Sequence, residues 1–521
     1  MDELKMKRKK RLYLLFVLCV GIGLFIFFAI EHPLYIYDTD DWTYISFSRH
    51  AWPSIRQFNP AKVLPETLMP ITAQIGVSMI MPFTGDYILS MAYAFSICLV
   101  IFTVAYILQM GKAVSFITGI GNRLSILIMG IFLLYHFLPY NHGDGVTKYL
   151  LQGGSVNCTY NYLIPGLLNA TLVLYLMRSG SLGLSNGEAE VGGCWDKHLR
   201  TGLFILICYL ALNSNMFHSI ILSSFAGAHI ILSFVPFLKR NGDKKGGKNK
   251  LYNYINQNKL WLAIDVAWII VLIFESRGSR AAKETGSLLE LPIGETFKQF
   301  TASVSSMNIF FLITIIGFIA AGVILAVYKC KTAVSHSETK INCSANTYLE
   351  MMLLMLASFL ITFVYLILLC AKVSPLYMSN NIVEISWIFW FMTSGFLSLG
   401  YVLSNASKTV LILPVFLYVL ACEVIVDGGI YAENNTAYLT ADTVKALDDN
   451  LIRQVKEAED AGLTDVVVKI PLHPSQEWPM NTSYGGGRIA TTLYKHGITR
   501  SLMNITLEPS QEINVEFGIR Q

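Results

Sequence analysis

The chain has 521 residues, 54% hydrophobic and 14% charged, and its 39 basic and 35 acidic side chains leave a formal net charge of +4. A soluble globular chain carries about 25% charged residues, so the composition argues against an ordinary cytosolic enzyme. The small net charge argues against a nucleic-acid binder. Mean hydropathy is +0.51, and apolar blocks recur from Arg11 to about Asp427. Blocks of roughly 20 apolar residues are long enough to cross a bilayer, so the expected fold class is an α-helical polytopic membrane protein.

Apolar runs read against breakers predict eleven spans, near 12–31, 86–109, 124–140, 159–177, 201–213, 216–238, 260–275, 308–328, 347–371, 382–403 and 409–427. The count becomes ten if the fifth and sixth merge, or twelve if Met69–Met81 inserts as a re-entrant segment. The first apolar stretch is longer than the usual signal-peptide core and is read as an uncleaved span. With Met1–Arg11 inside, the expected cytoplasmic loops hold 22 Lys and Arg against nine in the opposite short loops. The stretch from Lys239 to Lys250 carries most of that bias, and it places the N-terminus inside and the C-terminus outside. The chain thus divides into a membrane domain, 1–427, whose first extracytoplasmic loop is 31–85, and a small soluble domain, 428–521. In the latter, Thr440–Ala461 reads as a helix, Asp465–Ile470 as a strand and Ile489–His496 as a second helix, enough for a small α/β cap. The nine cysteines contain no CxxC and suggest neither a disulfide framework nor a metal knuckle.

The acidic residues of the first half concentrate just after span one, in Tyr35-Ile-Tyr-Asp38-Thr-Asp40-Asp41-Trp42-Thr-Tyr44, followed by Arg49, His50 and Trp52. A carboxylate at a membrane surface is costly to desolvate, yet it serves well as a general base for a hydroxyl or as a ligand of a hard cation. Asp40 is expected to N-cap a helix from Asp41 to about Ala51 that carries Trp42, Ile45 and Arg49 along one side at the interface. The competing reading makes these acids a helix cap and a solvated loop. A second polar segment holds His142, Asp144 and Lys148, then Asn157 and Asn161 at i, i+4 where span four begins. The glycine-flanked His142–Asp144 reads best as a turn, with His142 also a candidate sugar contact, and the Asn pair as a face toward a polar cavity.

At this point the sequence resembles the GT-C class of integral-membrane glycosyltransferases. The resemblance is architectural over the eleven spans. At residue level it lies in Asp40-Asp41 with its aromatic and Arg/His followers and in the loop up to Pro70, with a weaker likeness in Arg488–Ile498 to the final helix of bacterial proteins of this type. It implies an enzyme of the plasma (inner) membrane with its active site outside, inverting transfer from a polyprenyl-phosphate sugar donor to a glycan or lipid-linked acceptor. Asp40 is then expected as the catalytic base, with Asp41 beside it in the catalytic pair as its neighbour or a cation ligand, and Trp42, Tyr44, Arg49, His142, Asn157 and Asn161 as substrate contacts. Asp38 and Asp40 are a candidate pair for a divalent cation, Mg or Mn. Charge develops on the departing phosphate, and a guanidinium fork fits phosphate oxygens, which selects Arg277 and Arg280 in the loop after span seven. A transporter or flippase of lipid-linked glycans is the alternative, and an O-antigen-type polymerase or ligase a related one. A scaffold that presents the tail would leave the acidic trio unexplained.

Other features are discounted. Gly85-Asp86 reads as a turn entering span two, and Gly485-Gly486-Gly487 as a flexible loop rather than a nucleotide cradle. Asp265 and Glu423 lie within apolar runs and are suspects by position.

Overall fold

The computed structural model describes residues 2–48, 60–140, 142–143, 146–178, 194–240, 247–276, 291–336, 339–405, 412–427, 430–435, 437, 439–472 and 480–519. Its helices in chain order are α1 (Asp2–Ile26), α2 (Thr39–Tyr44), α3 (Pro65–Ile75), α4 (Tyr87–Thr118), α5 (Asn122–Leu134), α6 (Ile164–Arg178), α7 (Cys194–Leu212), α8 (Met216–Arg240), α9 (Gly247–Gln257) and α10 (Lys259–Ser276). Then come α11 (Ile293–Ser306), α12 (Ile309–His336), α13 (Thr339–Val373), α14 (Asn381–Asn405), α15 (Ile412–Asp427), α16 (Ala441–Asp460), α17 (Gly485–Lys495) and α18 (Gln511–Glu516). Helices stand over all eleven apolar stretches. Eight of the described helical segments are long and apolar enough to cross a bilayer, and shorter apolar helices cover Asn122–Phe137, His198–Leu212 and Pro414–Ile425. The protein is a helical, multi-pass membrane protein.

One of the eight, Pro60–Thr84, falls in the stretch expected as the first outer loop. It consists of α3 prolonged by a π turn, Gly76–Ile80, and a last turn, Met81–Thr84. At its start the Leu64 N–H donates to the Asn213 carbonyl, between α7 and α8, and at its close Thr84 bonds Ser90 and Asp86 at the head of α4. Gly76 lies against the backbone of Ser90 and Met91, where a Cβ would sit 3.0 Å from the Ser90 carbonyl oxygen.

Backbone groups in lipid must be satisfied within the segment, and several hydroxyls of the spans are satisfied in the same way. Ser96, Thr103, Thr118 and Ser358 each donate to the carbonyl four residues back. Others join helices: Trp390 Nε1 donates to Thr362 Oγ1 at 3.0 Å and Thr362 to Ser224 Oγ at 2.8 Å, linking α14, α13 and α8. Helix α14 is predominantly apolar and buried almost throughout, so it forms the centre of the bundle. Large side chains such as Leu14, Ile313, Ile324 and Val364 face outward, where lipid covers them.

The C-terminal segment departs from the membrane pattern. Helix α16 starts at the N-cap Thr440, which accepts from the Thr443 N–H. Strands β4 (Asp465–Pro471) and β5 (Asn504–Ser510) pair in parallel from Asp465↔Asn504 to Pro471↔Ser510, with α17 in the crossover. The three glycines expected as a flexible loop instead open α17. A Cβ on Gly486 would overlap the Ile505 carbonyl, so glycine is what lets this helix lie against β5. A smaller sheet joins β1 (His142–Gly143), β2 (Val146–Thr147) and β3 (Ile430–Tyr431), tying the loop after α5 to the chain beyond α15.

Candidate active site

The acidic segment forms a short helix whose cap differs from expectation. Asp38, not Asp40, is the N-cap of α2: its Oδ1 accepts from the Asp41 N–H at 2.8 Å, and the Asp41 carboxylate accepts back from the Asp38 N–H. An aspartate at the fourth position of the cap closes this reciprocal box, and Asp40 is left exposed on the first turn. The helix ends at Tyr44 rather than near Ala51; Arg49, His50 and Trp52 lie outside the described residues.

Asp41 is fully buried and also accepts from the N–H groups of Tyr37 at 3.0 Å and Asn157 at 2.6 Å. Burial, then the neighbouring Asp38 charge, pushes its carboxyl well above the usual range, against the pull of these N–H donors. Burial likewise pushes Asp38 up to about 6, while the Asp41 and Asp40 N–H groups and Ser155 hold it down. Both groups are engaged in holding α2 in place, as the capping reading of the acids would have it for these two. Of the expected cation pair, Asp38 is engaged within the box through Oδ1 and Asp40 is exposed. Among the described residues no cluster of three or more His, Cys, Asp or Glu forms a metal-holding group.

The C-terminal segment clamps α2 from the other side. Thr492 donates to the Trp42 carbonyl at 2.7 Å, Lys495 Nζ to the Ser46 carbonyl at 3.0 Å, and the Asn481 N–H to Thr39 Oγ1 at 2.6 Å. Trp42 is fully buried in this contact, which corrects its expected role as a substrate contact. Tyr44 is half-buried beneath the Lys62 ammonium, 5.3 Å from its ring centroid. His496 bonds Tyr87 Oη through Nδ1 at 2.7 Å, and burial lowers its pKa to about 4. Lys445 reaches Asp86 at 2.7 Å.

Asn161 Nδ2 donates to the Asn157 side chain at 2.5 Å, but neither asparagine is among the residues that line the cavity below. The turn that begins Val156–Cys158 leads into a polar cavity of about 390 Å³. Its wall includes Tyr140, Lys148, Gln152, Cys158, Ser303 and Glu384. Glu384 stands in the first turn of α14, where a carboxylate suits the positive end of the helix. It is 1% exposed and accepts hydrogen bonds from Tyr140 Oη at 2.6 Å and from Ser303 Oγ on α11. Tyr140 is held by its bridge to Met307, just beyond α11.

The sequence reading expected a polar cavity beside Asn157 and Asn161 but missed Tyr140, Ser303 and Glu384 in its wall. Glu384 carried a signal, an acid at the head of an apolar stretch, and Lys148 is the only Lys or Arg of its loop. Ser303 carried none. The backbone of His142 forms β1, while Asp144, Arg277 and Arg280 lie outside the described residues. Glu275, two residues before Arg277, accepts the Ala61 N–H at 3.1 Å, so that loop starts beside the segment that follows α2. Asp265 accepts from Ser223 at 2.7 Å inside the bundle, and Glu423 is exposed. The chain matches no family model, no curated protein and no solved structure.

Proposed function

We propose that this chain is an inverting membrane glycosyltransferase that moves a sugar from a polyprenyl-phosphate donor to a cell-envelope glycan or lipid-linked acceptor. The reading takes the eleven expected stretches as the crossings and Pro60–Thr84 as a segment that does not cross, which puts the N-terminus inside and residues 428–521, a small domain, on the extracytoplasmic face of the plasma membrane. The bias of Lys and Arg between alternate loops supports that sidedness.

The observation that carries the reading is the shared turn between the acidic helix and the polar cavity. Asp41 grips the Asn157 N–H, and the next residue, Cys158, lines the cavity together with Gly154. The exposed carboxylate Asp40 is thus the chain neighbour of the aspartate that is fastened to the cavity's turn. In the proposed reaction Asp40 takes the proton of the acceptor hydroxyl as its oxygen forms a bond to the anomeric carbon. The bond from that carbon to the phosphate oxygen breaks, and its electron pair leaves with the phosphate. Arg277 and Arg280 are assigned to that phosphate, since donors placed where charge develops stabilise the transition state.

The test is reconstitution in vesicles with a panel of radiolabelled polyprenyl-phosphate sugars and extracted envelope acceptors. Labelled product with the anomeric configuration opposite to that of the donor is expected. Movement of the intact labelled donor across the vesicle membrane without transfer would overturn the reading in favour of a flippase.

A further inference from the structure

Three of the polar residues that line the cavity, Tyr140, Ser303 and Glu384, form one hydrogen-bonded group; Gln152, Ser306, Ser379, Asn380, Asn381 and Asn435 line it as well. A carboxylate only accepts hydrogen bonds, and a hydroxyl has one proton to give and lone pairs to receive. Tyr140 and Ser303 both direct their proton to Glu384, one to each carboxylate oxygen. Both residues line the cavity, so what they offer to an occupant is their lone pairs. The same cavity is lined by Lys148, whose ammonium only donates. Glu384 is 1% exposed and covered by the two hydroxyls, so an occupant meets an acceptor surface backed by the charge rather than the charge itself.

We infer that Glu384 is a positioning residue that sets the specificity of this cavity: by holding the protons of Tyr140 and Ser303 it makes the wall accept hydroxyl donors, while Lys148 takes an anion. The occupant that fits is a polyhydroxylated group bearing one anionic group, which makes the cavity selective for hydroxyls that donate over substituents that only accept. The identification of the polyol as a sugar rests on the transferase reading above. Selectivity against non-donating analogues rests on the wall alone. A glutamine at position 384 would reverse the pattern, because its amide donates and frees the proton of Tyr140 or Ser303 toward the cavity.

The experiment uses the full-length protein in detergent and measures binding by calorimetry. The probes are hexose 1-phosphates, their deoxyfluoro analogues, in which fluorine accepts weakly and cannot donate, and inorganic phosphate. The wild type is expected to bind a hexose 1-phosphate more tightly than phosphate and to lose about tenfold or more when one hydroxyl becomes fluorine, the factor that corresponds to one hydrogen bond. In E384Q that penalty is expected to vanish while phosphate binding is retained; Lys148→Ala is expected to weaken phosphate and sugar phosphate alike. Tyr140→Phe removes one acceptor directly and carries the same test should E384Q not fold. An unchanged fluorine penalty in both variants, or a wild type that binds sugar phosphate no better than phosphate, overturns the inference. A correct binding pattern in a protein that transfers no sugar would refute the transferase reading and leave the inference standing.

Discussion

Asp41 accepts the Asn157 N–H at 2.6 Å, across 116 positions of chain, and so fastens the acidic helix α2 to the turn that walls the polar cavity. The same carboxylate receives the N–H groups of Tyr37 and Asp38. Asp40, its neighbour in sequence, is exposed. Adjacent aspartates therefore differ in kind: one is buried and fastens α2, and the other is open to solvent.

That difference predicts separable phenotypes. Asp41→Ala removes one half of a capping box and leaves buried N–H donors unsatisfied, a loss of about 1–3 kcal/mol. A lower midpoint in thermal unfolding of purified protein is expected, whereas Asp40→Asn should unfold with the wild type. Equal midpoints for Asp41→Ala and wild type would show that the box is not a structural element.

The contact between α16 and the segment that leads into α2 contains Asp448, which is 1% exposed, with one carboxylate oxygen buried without a hydrogen-bond partner. Burial, then the charges of Asp449 and Asp41, raises its pKa well above the ordinary value, and Lys445 opposes this only in part. An acid whose pKa is raised by folding stabilises the fold fully below its unfolded value of about 3.9 and loses that contribution as pH rises through the folded value. Asp448→Asn is neutral at every pH. It is expected to raise the unfolding temperature at pH 8 and to flatten the decline of stability between pH 5 and 8; a parallel decline in both proteins would exclude Asp448 as its source.

His496 works in the opposite direction on the same contact. Burial holds its pKa near 4, against a free value of about 6.5, so its contribution is complete above pH 6.5 and fades as pH falls toward 4. Hydrogen exchange of α17 is expected to accelerate from pH 6.5 to 4.5, after correction for the intrinsic rate. His496→Gln should abolish the acceleration; its persistence would place the titrating group elsewhere.

Gly486 tests the packing of α17 on β5. A methyl group at this position meets the Ile505 backbone carbonyl, which cannot swing away as a side chain could. Gly486→Ala is expected to cost about 1–3 kcal/mol, typical of overpacking, and to expose the peptide bonds after β4 to protease. Gly487→Ala, where a Cβ meets nothing within 4 Å, is the matched control.

The membrane helices were legible because apolar length is a strong and local signal. In the C-terminal segment, Thr440 as cap of α16 and Asp465 as start of β4 were legible for the same reason, since caps and alternation act over a few residues. Gly485–Gly487 misled because glycine has two meanings, freedom and closeness, and only the position of Ile505 decides between them. Asp38 and Asp40 exchanged roles because either spacing caps a helix; the choice falls to Asp38, whose partner Asp41 also meets Asn157. Trp42 looked like an interfacial aromatic, and its burial depends on Thr492 and its neighbours, 450 positions away. The wall of the cavity was invisible for the same reason: Tyr140, Ser303 and Glu384 come from three separate segments, and nothing in any one of them announces the other two.

The central claim is that Asp40 is the base of a sugar transfer, and the most direct test compares Asp40→Asn with wild type in membranes holding equal amounts of folded protein. Loss of a positioned general base typically lowers the rate about 10²- to 10⁴-fold, so the account predicts a fall of that order in labelled-sugar transfer with donor binding unchanged. Full transfer by the Asp40→Asn protein would contradict it.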